Sequence, residues 1–100
     1  MDEMEIIKEI PEWIKYDEKE DIYSVTTKEG VFILQEQTGE VVQSCEKMAD
    51  KLKKSFEYLL IPRSSVEPKL TDASIKELKG STLYKLKIAI IFVYGLNDLF

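Results

Sequence analysis

The sequence predicts an α+β domain, and three observations carry that prediction. Runs rich in β-branched and aromatic residues, EWIKY (12–16), IYSVTT (22–27) and VFILQ (31–35), are divided by charged or glycine-bearing turns. A stretch over about 44–60 repeats apolar residues at intervals of three and four. A dense apolar run, KIAIIFVYGL (87–96), lies near the C-terminus and is rich in isoleucine, valine and aromatics. One hundred residues suffice for one core, so a single domain over 1–100 is expected. The expected architecture is an antiparallel meander of three or four short strands, a long helix, a short helix (about 72–79) and a long C-terminal strand (about 82–94) in the same sheet.

Along the chain, MEIIKEI (4–10) suits either a short helix or an edge strand, ended by Pro11. In the second strand Tyr23, Val25 and Thr27 share one face while Ile22, Ser24 and Thr26 share the other, because side chains alternate. Gly30 supplies the positive φ that a tight hairpin needs. Gly39 marks a turn. After it, 40–43 is read as a brief strand, with the opening of a helix as the alternative, and Ser44 as the N-cap of the main helix.

In that helix Cys45, Met48, Leu52, Phe56 and Leu59 line one face, with Asp50 four residues before Lys54, and Pro62 stops it near Leu60. IPRSSVEPKL (61–70) reads as a loop. Thr71 can cap the short helix, Leu70 and Ile75 can staple it, and Gly80 suits its C-terminal end.

The last element is the hardest to place. As a helix its apolar residues surround nearly the whole circumference. As a strand, Tyr84, Leu86, Ile88, Ile90, Phe92 and Tyr94 form one apolar face and Lys85, Lys87, Ala89, Ile91 and Val93 the other. The β-branched content favours the strand. It is too short for a membrane span, which takes about 20 apolar residues, and charged or polar residues flank it.

Composition narrows the chemistry. The net charge of −5 divides unevenly: residues 1–40 hold 12 acids and 4 bases, residues 41–100 hold 7 acids and 10 bases. This asymmetry is ordinary for differently solvated faces. There is no histidine, which removes the commonest general base and metal ligand. One cysteine cannot form an internal disulfide, and MDEMEIIKEI has no leader pattern, so a cytoplasmic setting is expected.

Ser44 and Lys47 match S-x-x-K, a pattern of some serine hydrolases, but companion motifs are absent. Cys45 falls on the apolar stripe without a histidine to activate it, so a buried, inert thiol is expected. DEKED (17–21) departs from a calcium loop at Lys19 and reads as a turn. The four glycines are isolated, so no phosphate loop exists.

No catalytic residue, cofactor or metal is therefore expected. The function expected is a non-enzymatic protein–protein interaction or regulatory module, self-associating as a homodimer through Ala89, Ile91 and Val93 of the C-terminal strand. The alternative is a nucleic-acid-associated regulator, with Lys47, Lys51 and Lys54 contacting phosphates from helix 44–60.

Overall fold

A computed structural model describes residues 10–96. Three hairpin strands come first: β1 (Ile14–Asp17), β2 (Ile22–Thr27) and β3 (Gly30–Leu34). Helices α1 (Gly39–Leu52) and α2 (Phe56–Ser64) follow, then the short strand β4 (Ser65–Glu67), a 3₁₀ turn (Ser74–Glu77) and helix α3 (Gly80–Val93). The fold is α+β, with a four-stranded antiparallel sheet in the order β1-β2-β3-β4.

The strands form where local chemistry dictates. Asp17 accepts the backbone N–H groups of Lys19 and Glu20, and Asp21 enters the left-handed region at φ 54°, so DEKED is a hairpin turn. Gly30 takes φ 116° and closes the second hairpin, as its position in the sequence implies. Cross-strand register aligns Ile14 with Val25 and Val25 with Phe32. With Leu34 these side chains form the sheet's contribution to one buried cluster shared with Leu59, Leu60, Ile61, Leu86, Ala89 and Ile90.

The expected C-terminal strand over 82–94 is instead helix α3, and it takes no place in the sheet. Its buried residues, Thr82, Leu86, Ala89, Ile90, Phe92 and Val93, follow helical spacing. α3 packs against β2 on one side and α2 on another, so a helix apolar around most of its circumference finds neighbours for most of it. Burial from two sides outweighs the β-propensity of its isoleucines.

The fourth strand comes from the stretch expected to be a loop. Ser65–Glu67 pairs with β3 through Ile33↔Glu67 and Leu34↔Ser65, with a register shift between the two pairs.

The single helix over 44–60 is two helices. Lys53 adopts φ 58°, and the Lys54 N–H reaches back to the Ala49 carbonyl, which ends α1. Ser55 then caps α2 by accepting the Tyr58 N–H. Leu52, on the expected apolar stripe, is 49% exposed because the stripe is interrupted beside it. Residues 40–43 are helical, Ser44 lies inside α1, and Thr38 holds the N-cap position without a side-chain bond. Glu40 in the first turn suits the positive end of the helix.

Pro62 sits inside α2 rather than stopping it. Side chains serve the carbonyls of its last turns: Arg63 Nη1 donates to Leu59, and Lys69 Nζ and Ser65 Oγ donate to Pro62.

The short helix expected over 72–79 contracts to the 3₁₀ turn at Ser74–Glu77. Ala73 holds its N-cap position without a side-chain bond, and the expected cap residue Thr71 instead closes the turn before it, where the Ser74 N–H donates to Thr71 Oγ1 and the Thr71 N–H to Ser74 Oγ. Leu70 and Ile75 are both buried. Gly80 begins α3 rather than ending the turn. Of the ambiguous stretch 4–10, residues 4–9 lie outside the described residues.

Hydrogen bonds to residues distant in sequence hold both ends of α3 in place. At its start, the Lys79 N–H donates to Glu29 Oε1 at 2.8 Å, so the β2–β3 turn supplies the carboxylate that a capping box would place within the helix. At its end, Tyr94 Oη accepts the Gln37 N–H at 3.0 Å and lies 2.7 Å from Ser64 Oγ.

The Lys79 N–H holds the Glu29 carboxyl below the ordinary glutamate value, with the nearby Thr82 hydroxyl as the next cause. Thr82 Oγ1 is itself buried without a hydrogen bond of full geometry. A depressed folded value means this contribution is fully present above the unfolded pKa and is lost as pH falls through the folded one. Glu29→Gln is expected to be less stable than the parent at neutral pH and to converge with it in acid, checked by urea unfolding across pH. Lys53→Gly is expected to raise the unfolding free energy by up to about 1 kcal/mol, by relieving the left-handed conformation, as measured by the denaturation midpoint.

Candidate interaction surface

Alternation along the strands gives the sheet a second face, turned away from the core cluster. Register places Lys15, Ser24, Ile33 and Glu67 in one row across all four strands. Thr26 and Val31 pair beside it, and Ile22 pairs with Asp17. None of these residues is buried, whereas Ile14, Val25, Thr27, Phe32 and Leu34 on the opposite face all are.

The centre of this open face carries no charge. On β2 the face carries the small hydroxyls Ser24 and Thr26, with Ile22 at one end, and on β3 the large apolar Val31 and Ile33. Val31 is 53% exposed and Val66, at the irregularity in β4, is 47% exposed. Charges stand at the edges: Lys15 and Asp17 on β1, Glu67 on β4. An uncharged middle with a polar rim is the arrangement of a protein contact surface.

The surface expected from Ala89, Ile91 and Val93 is dispersed by the helix. Ala89 is fully buried, Val93 is nearly so, and Ile91 is half-buried. These residues shared a face only at the two-residue repeat of a strand. In α3 they fall at 100° per residue, and two of the three enter the core.

The lysines expected to form one face are divided by the break at Lys53. Lys47 and Lys51 are exposed on α1, separated by the exposed acid Asp50, while Lys54 lies beyond the helix end with its ammonium 5.7 Å from the centre of the Tyr58 ring. Three further cations that would extend the patch are engaged within the chain. Arg63 pairs with Asp72 at 3.0 Å, Lys69 donates to the Pro62 and Ser65 carbonyls, and Lys85 lies 5.3 Å over the Trp13 ring. Asp72 is the main cause that raises the Arg63 pKa.

Among the described residues no group of three or more His, Cys, Asp or Glu is placed to hold a metal ion, and no helix is long and apolar enough to cross a membrane. Comparison with protein-family models, curated proteins and solved structures found no match to this chain.

Cys45 is fully buried, with its Sγ 3.9 Å from the Leu59 carbonyl. Burial pushes its thiol pKa up, and the Arg63 charge offsets this in part. Ser44 is exposed within α1, three residues before the equally exposed Lys47. The expected outcome for Cys45 is slow reaction with a disulfide reagent in the native protein and immediate reaction in denaturant, followed by absorbance. Fast native labelling would contradict its placement in the core.

Proposed function

We propose that this chain is a non-enzymatic interaction module that binds protein through the open face of its sheet. The observation that supports this reading is the juxtaposition of Ser24, Thr26, Val31 and Ile33 on a face with no buried residue, bordered by charges. An antiparallel sheet commonly leaves one face to solvent, and here the middle of that face sets the exposed Val31 beside the half-buried Ile33 with no charge between them, the arrangement of a contact surface. A lone, buried cysteine suits a reducing, cytoplasmic setting for such a module.

The same reading replaces the C-terminal segment with the sheet as the contact element. It also ranks above a nucleic-acid role, because phosphate binding accumulates positive charge, whereas Asp50 separates Lys47 from Lys51 and Arg63, Lys69 and Lys85 are engaged internally.

A photo-crosslinking amino acid at Thr26, compared with one at Lys47 on α1, tests it in the cells that make the protein. Crosslinks to protein from position 26 and none from position 47 are the expected outcome. Crosslinks to nucleic acid from position 47, or no crosslink from position 26, would overturn the reading.

A further inference from the structure

We infer that the occupant of the open sheet face is a second copy of this chain, related by a two-fold axis that runs along the strands between β2 and β3. The inference rests on the interaction reading above and adds the identity and geometry of the partner. Such an axis exchanges β2 with β3 and β1 with β4, so each residue of the face meets a residue from the other half of the same row.

Three consequences make the face complementary to itself. Ile33 of one copy lies over Ser24 of its partner, and Val31 over Thr26, so large apolar side chains meet small ones in both of these contacts. Interdigitation of that kind is what two sheets packed about 10 Å apart require. At the ends of the same row, Lys15 of one copy meets Glu67 of the other, twice by symmetry. The opposite pairing, with the axis perpendicular to the strands, would leave β1 over β1 and set Lys15 near its own copy.

The extent of the face sets the strength. Four strands about 4.8 Å apart and five residues of about 3.4 Å give roughly 300 Å² per copy. That is below the roughly 800 Å² per partner of a stable complex, so the dimer is weak and transient.

The experiment uses the full chain in dilution from about 1 mM, a range suited to weak association. Backbone amide shifts of Ser24, Val31 and Ile33 should move with concentration, while those of α1 stay fixed. Lys15→Glu and Glu67→Lys each place like charges at both ends of the interface and should weaken self-association roughly tenfold. Mixing the two variants restores opposite charges at both ends, so the mixture should associate as the parent does. Both substitutions are at exposed positions, and unchanged sheet amide shifts at low concentration show that each variant folds.

Absence of any concentration dependence in the parent would overturn the second-copy inference. If Thr26 then crosslinks to a protein of different mass, the interaction reading stands alone. Association that does not respond to the charge reversals, or that the mixture fails to restore, would overturn the two-fold arrangement.

Discussion

The fold depends on α3 being buried from two sides. A helix with Leu86, Ala89, Ile90 and Val93 in the core and further apolar residues around them has little surface fit for water. The chain resolves this by setting β2 against one flank and α2 against another. The other elements are arranged around that requirement. The meander offers its Ile14, Val25, Phe32 and Leu34 face to the helix, and α2 offers Leu59, Leu60 and Ile61. Because this burial occupies one side of a single sheet, the other side is left without a helix from the described residues.

Both ends of α3 are held by groups remote in sequence. Glu29 receives the Lys79 N–H fifty residues away, and Tyr94 joins the segment after β3 to the end of α2. A helix that opens with Lys79-Gly80-Ser81 has no acid in its first turn, so the carboxylate must arrive from the hairpin. The turn that registers β2 against β3 thus also sets where α3 begins, and sheet and helix share one anchoring residue.

What could be read from the sequence was what local chemistry decides. The bounds of β2, the positive φ of Gly30 and the turn role of DEKED depend on neighbours within a few residues. The break at Lys53 could not be read, because KLKKS contains neither glycine nor proline and the left-handed residue is a lysine. β4 was hidden for a different reason: three residues show no periodicity, and only β3 makes them a strand. α3 was legible as apolar but not as helical, since its pattern reports burial on many sides and not the period. The open face was half visible, because Ile22, Ser24 and Thr26 already shared a side of β2, but which side met the core required the helices.

The left-handed residue at Lys53 makes α1 a separable layer. Its one fully buried side chain is Cys45, and its packing is against α2, which is itself seated on α3. The break at Lys53 means that no continuous backbone rod joins α1 to Phe56 and beyond. α1 therefore places one thiol fully in the core, with Val42, Met48 and Ala49 packed against it, and has the fewest fully buried side chains of the three helices. In mechanical terms the helix with the fewest buried side chains is also the one joined to its neighbour across a backbone break, and low local contact is where local stability is lowest.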